Sequence, residues 1–191
     1  MKNPTLLKEM LHYRGRDEMP DDFDTFWNKH VAEVEVPQDY QLLEKDFQIA
    51  YATCYELTFK SGNGGQIYAK LVVPKLSEKV PVLFHFHGYM GQGWDWADML
   101  AYTAAGWGVV SMDVRGQSGY SLDGDREVRG NTVKGHIIRG ALDGPDQLFF
   151  KDVYLDVYTL VELVAGLDFV DENRLSSFGG SQGGALALVA A

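Results

Sequence analysis

Cysteine is almost missing from this sequence: Cys54 is the only one in 191 residues, which excludes an intrachain disulfide and fits a reducing compartment. Cys54 itself reads as a small hydrophobe in a strand. No run of about 18 apolar residues occurs, so no membrane-spanning helix is expected. The opening Met1-Lys2-Asn3-Pro4 leads into polar sequence with no apolar signal core, which makes the cytoplasm the expected location. Positive charge is in deficit, with 17 Lys and Arg against 27 Asp and Glu and a net charge of −10. That balance argues against nucleic acid or an anionic membrane as the partner. Repeats and low-complexity segments are also lacking. Against these absences stand 46% hydrophobic and 13% aromatic residues, the composition of a folded globular chain long enough for one core. The expectation is a single domain over 1–191, with 1–40 a peripheral helical extension and 41–191 the sheet core.

In the extension, Asp21-Asp22 precedes Phe23, Phe26, Trp27, His30, Val31 and Val34 at spacings of three and four, which predicts a capped helix with one apolar face. Residues 42–73 alternate as strands do. The segments 55–59 and 67–73 flank Ser61-Gly62-Asn63-Gly64-Gly65, which predicts an antiparallel hairpin ending at Pro74. The period then changes. Val80–His87 and Trp107–Asp113 are nearly continuous apolar runs, as strands buried on both faces require. Helices are predicted at 95–105 and 152–164, and a short strand at 174–178. Residues 120–148, rich in glycine and charge, read as a long excursion over the strand ends. Strands alternating with helices imply an α/β fold with a mostly parallel central sheet, N-terminal helices and an antiparallel hairpin.

The strongest motif lies at the end, in Gly179-Gly180-Ser181-Gln182-Gly183-Gly184 followed by an Ala/Leu run. A strand, G-x-S-x-G and a helix together make a nucleophile elbow. Its serine hydroxyl points out of the sheet from a strained turn, so Gly179 and Gly183 remove the Cβ atoms that would clash there, with Gly180 between them counted as a supporting residue of the site. The amide of Gln182 at the helix start is placed to donate to an oxyanion. The alternative is a flexible glycine loop with no chemistry.

In parallel sheets the ligand site lies beyond the carboxyl ends of the strands. The loop after the first buried strand begins His87-Gly88-Tyr89, and the Tyr89 amide is the expected second oxyanion donor, with Gly88 letting the backbone approach. His87 reads as a structural hydrogen-bonder before a glycine; a catalytic base is the competing reading. His85 and His87 share one strand face, which suits zinc, yet no third ligand is near in sequence and no metal is expected. Arg115-Gly116-Gln117, at the end of the next strand, reads as a support that ties loops together.

Taken together, His87-Gly88-Tyr89, Arg115-Gly116-Gln117 and Gly179–Gly184 resemble the acetyl xylan esterase / cephalosporin C deacetylase family, carbohydrate esterase family seven. The resemblance extends to the N-terminal helix, the hairpin, Asp113 and the helix around Tyr154-Leu155-Asp156. It implies an α/β-hydrolase fold and a cofactor-free serine esterase that removes acetyl groups from xylo-oligosaccharides and cephalosporin C. It also implies a cytoplasmic homo-hexamer whose sites face an internal cavity. Ser181 is then the nucleophile, Tyr89 and Gln182 give the oxyanion amides, and Arg115 and Gln117 support the site.

One departure is large. The family places an aspartate and then a histidine of the triad after the serine, whereas no Asp, Glu or His follows Ser181 here. The last helix also lacks any closing signal at Ala191. The expectation is an N-terminal portion, truncated after the elbow and nearly inactive alone. Two other readings stay open: a genuine short protein acting as a binding or assembly subunit, and a related serine hydrolase of another substrate class. The uncapped helix speaks against the first, and the HGY and RGQ segments against the second.

Overall fold

The structure, a computed structural model, describes residues 4–124 and 138–191. Two compact units are present, Met1–Glu33 and Val34–Ala191. In the first, α1 spans Pro4–His12 and α2 spans Phe23–Ala32. The helical spacing of the α2 aromatics brings Phe26 edge-on to both Trp27 and His30, with centroids 5.3 and 4.5 Å apart. Two details differ from the sequence reading. Asp22 occupies the N-cap but its side chain accepts no capping hydrogen bond, and the helix closes at Ala32, before Val34.

The second unit is built on a six-stranded sheet. Its strands are β1 (Gln41–Lys45), β2 (Ala52–Lys60), β3 (Gln66–Pro74), β4 (Val80–Phe86), β5 (Gly108–Met112) and β6 (Val170–Gly179). Their spatial order is β1-β2-β3-β5-β4-β6. The expected hairpin is β2–β3, paired from Ala52 opposite Pro74 to Lys60 opposite Gln66. At its turn Asn63 takes φ 57°, a left-handed value that asparagine tolerates better than most residues. The sheet is mixed. β1–β2, β2–β3 and β3–β5 are antiparallel, and the parallel pairs β5–β4 and β4–β6 gather around β4.

Strand alternation sends side chains to two covered faces. Leu71, Phe84, Phe86, Val110 and Met112 belong to the larger core cluster, completed by Val153, Val157, Leu160 and Val164 of α4 (Phe149–Ala165) and by Leu186 of α5 (Gln182–Val189). Val72 and Val109, each one residue along its strand from Leu71 and Val110, turn the other way. They pack with Cys54 and with Met99 of α3 (Trp96–Thr103). Burial pushes the Cys54 thiol pKa up, which suits a small hydrophobe in a strand. With both faces covered, β4 and β5 have no need of polar alternation, and this is why they read as continuous apolar runs.

What matters for the site is the register around β4. Phe86 is level with Met112 of β5 on one side and with Gly179 of β6 on the other. Three strands therefore finish together, and the loops that leave them start side by side. Of the 120–148 excursion, residues 125–137 lie outside the described residues. Its described start is tied down by Leu122, which exchanges both backbone hydrogen bonds with Gln66 at 2.8 and 3.0 Å. Among the described residues no helix is long and apolar enough to cross a membrane.

Candidate active site

Between the end of β6 at Gly179 and the start of α5 at Gln182 stand only Gly180 and Ser181. Ser181 is exposed and takes φ 57°, ψ −123°, a conformation that residues with a Cβ seldom adopt. Crowding below the turn enforces it. A Cβ on Gly183 would overlap the Phe86 carbonyl oxygen, and one on Gly179 would overlap the Gly183 carbonyl. Gly180 is different, since nothing lies within 4 Å of where its Cβ would be. Gln182 is the first residue of α5, where an amide has no carbonyl one turn earlier to bind and the helix dipole favours negative charge.

The loop after β4 runs beside this turn. A methyl group on Gly88 would sit 3.6 Å from the Gly180 carbonyl oxygen and 3.9 Å from Ser181 Cβ. Tyr89 follows, 40% exposed, and then Met90 with φ 64°. A left-handed methionine needs something to hold it, and the loop after β5 does so. Met90 N–H donates to Gln117 Oε1 at 2.8 Å, and the Ser118 hydroxyl donates to the Met90 carbonyl at 2.7 Å. The Ser118 amide donates to the Gly91 carbonyl at 3.2 Å, and Gly91 N–H closes the turn on Gly88 O at 3.0 Å. Gln117 also reaches the elbow. Its Nε2 donates to Gln182 Oε1 at 2.7 Å, and Gln182 Nε2 donates back to Gln117 Oε1 at 3.2 Å. Gln117 and Gln182 are both buried.

The two histidines of β4 and its exit are engaged elsewhere. His87 Nδ1 donates to the Gly88 carbonyl at 2.7 Å, while its Nε2 accepts from Val114 N–H at 2.9 Å. A carbonyl only accepts and an amide only donates, so this pairing selects the neutral Nδ1–H tautomer. Burial lowers the His87 pKa against the opposing pull of the Gly88 carbonyl and Asp113. His85 stacks on Trp94 with centroids 4.1 Å apart and binds Ser111 Oγ through Nδ1 at 2.8 Å. Burial first, and then the neighbouring His87, push its pKa down to about 4. Among the described residues no cluster of His, Cys, Asp or Glu is arranged to hold a metal.

Arg115 is fully buried. Its Nε and Nη2 donate to the two carboxylate oxygens of Asp156 at 2.7 and 2.6 Å, and Nη2 also donates to Gly62 O at 3.1 Å. Asp123 and Asp152 stand 3.5 and 3.8 Å from Nη1. Burial alone would lower the guanidinium pKa, but Asp156, and behind it Asp152 and Asp123, raise it on balance. One arginine thus joins the hairpin turn, α4 and the loop after β5. Sequence reasoning missed Asp156 as its partner, and also missed Ser118 and Ser111. A signal for Asp156 was present: an acid one residue before Val157 and three after Val153, on the buried side of an apolar helix, calls for a buried cation. Asp113, noted only within the family resemblance, accepts from Gly93 N–H at 2.6 Å and Tyr120 N–H at 2.8 Å and so fixes two loops.

Comparison with known proteins gives the family of the chain. The family model described as Acetyl xylan esterase (AXE1) matches residues 1–191. The crystal structure of acetyl xylan esterase 1 from Thermoanaerobacterium sp. is 43% identical, with a TM-score of 0.89 over 96% of this chain and 58% of that one. The acetyl xylan esterase from Paenibacillus sp. R4 is 30% identical, with a TM-score of 0.85 over 97% of this chain and 60% of that one. The acetyl esterase Axe7A of Xylanibacter ruminicola is 29% identical over 90% of this chain and 40% of its own length. The chain thus spans between two fifths and three fifths of these relatives, and within that span it has their α/β-hydrolase fold. On the match over its whole length, the chain belongs to the acetyl xylan esterase family.

Proposed function

We propose that residues 1–191 form the nucleophile-bearing part of a serine esterase that removes acetyl groups from acetylated xylo-oligosaccharides through an acetyl-enzyme. The observation that carries this reading is the strained turn at Ser181, with the Gly88–Tyr89 loop directly beside it. Ser181 Oγ attacks the acetyl carbonyl as a base takes its proton. The Tyr89 and Gln182 amides hold the oxyanion, the sugar hydroxyl leaves with that proton, and water then releases acetate. Arg115 and Gln117 hold the loops that carry these groups. The chemistry calls on no metal or cofactor.

The base and its orienting acid would be the histidine and aspartate that the family resemblance places after the serine, in the length of the relatives that this chain does not span. Residues 1–191 alone are then nearly inactive. Loss of a triad serine or histidine costs about 10⁶-fold in kcat, and the oxyanion hole with binding retains roughly 10³–10⁴-fold over water. The names of the relatives support the acetylated-xylan substrate class, whereas cephalosporin C, a hexameric assembly and a cytoplasmic location rest on the family resemblance alone. Acetate release from acetylated xylo-oligosaccharides tests the proposal, with the full-length enzyme, its Ser181→Ala variant and residues 1–191 assayed side by side. Turnover only by the unaltered full-length enzyme is expected. Steady turnover that survives Ser181→Ala overturns it.

A further inference from the structure

From the reciprocal amide pair we infer that Gln117 and the side chain of Gln182 are positioning residues, a latch that sets the distance between the two oxyanion amides. This inference rests on the esterase reading above. The two donors come from different segments, Tyr89 after β4 and Gln182 at the start of α5, and nothing in the chain's covalent structure fixes their separation. Gln117 spans the gap. Its Oε1 accepts from Met90 N–H at 2.8 Å, one residue beyond Tyr89, and its Nε2 donates to Gln182 Oε1 at 2.7 Å.

The orientation of the latch is forced. Met90 N–H can only donate, so the Gln117 oxygen must face it and the Gln117 NH₂ is left to face Gln182. The return bond from Gln182 Nε2 at 3.2 Å closes the pair. The hold is needed because Met90 sits at φ 64°, strained for a residue with a Cβ, and relaxation of that residue would swing the adjacent Tyr89 amide. Both amides are buried, so a lost partner is not replaced by water at no cost. The position needs one acceptor and one donor on a single planar group at the reach of a glutamine side chain.

Two substitutions in the full-length enzyme test this. Gln117→Ala removes both bonds. Gln117→Glu keeps the acceptor toward Met90 but, when ionised, has no donor for Gln182. When protonated, its carboxyl again offers one donor and one acceptor. A displaced oxyanion donor acts in the transition state and not on ground-state binding, so kcat is expected to fall about 10²-fold in Gln117→Ala with KM little changed. Gln117→Glu is expected to show a similar loss at neutral pH. Its kcat, taken as a ratio to that of the unaltered enzyme, rises as the pH is lowered and the carboxyl is protonated, a recovery that mere misfolding would not give. Ser181→Ala is assayed alongside. If Ser181→Ala abolishes turnover while both Gln117 variants keep kcat within twofold, or if Gln117→Glu is damaged equally at every pH, the latch is overturned and the esterase reading stands. If turnover survives Ser181→Ala, the esterase reading itself has failed and the latch falls with it.

Discussion

Arg115 and Asp156 meet side by side in the interior, both 0% exposed, with two parallel hydrogen bonds of 2.7 and 2.6 Å between guanidinium and carboxylate. The fork geometry of arginine matches a carboxylate in this way, and the compact ammonium of lysine does not. Because Asp152 and Asp123 crowd the same cation, its removal leaves three carboxylates around an empty space. Arg115→Met is expected to cost about 3–5 kcal/mol of stability in denaturant unfolding, with Arg115→Lys recovering only part of it. The double variant Arg115→Met/Asp156→Leu should be more stable than Arg115→Met alone. Equal stability of the two would show that the pair is not energetically coupled.

The elbow glycines are not equivalent. Gly183→Ala would drive a methyl group into the Phe86 carbonyl, beneath the turn that carries Ser181. A loss of about 1–3 kcal/mol or more in thermal or chemical unfolding is expected. Gly180→Ala meets open space and should stay within about 0.5 kcal/mol of the unaltered protein. Similar losses at the two positions would refute this account of the turn.

Acid stability follows from the histidines of β4 and its exit, His85 and His87. His85 has its folded pKa lowered from 6.5 to about 4, and that of His87 is lowered as well. Between about pH 6.5 and 4 the unfolded chain therefore binds more protons at these sites than the folded one. Their contribution to stability is complete above pH 6.5 and is lost as the pH falls toward 4. His85→Asn, which keeps a polar group near Ser111 but does not titrate, should flatten this limb of a melting-temperature profile. A variant profile parallel to that of the unaltered protein would contradict the assignment.

How much of this was legible in the sequence depended on the range of the interaction. The strands at Val80–Phe86 and Gly108–Met112, the hairpin and the elbow were readable because each is dictated locally, by apolar runs, turn residues or glycine spacing. The expected strand at 174–178 is longer in the structure, from Val170, since its first residue pairs with Val80 across a register shift. What sequence could not give was the partner of each polar side chain. Arg115 and Gln117 stood out as loop supports, but their partners Asp156, Met90 and Gln182 lie 41, 27 and 65 positions away in sequence. The order β5-β4-β6, which sets three loops side by side, brings Gln117, Met90 and Gln182 together, and the packing of α4 on the sheet brings Asp156 to Arg115.

The most direct test of the central claim is to trap the acyl-enzyme. Full-length enzyme mixed rapidly with an acetyl ester and quenched in acid before the first turnover is complete can be digested and its peptides weighed. One acetyl group on the peptide that contains Ser181, absent from the Ser181→Ala variant, is the predicted result. Acetate release at full rate with no acetyl group on that peptide would contradict the account.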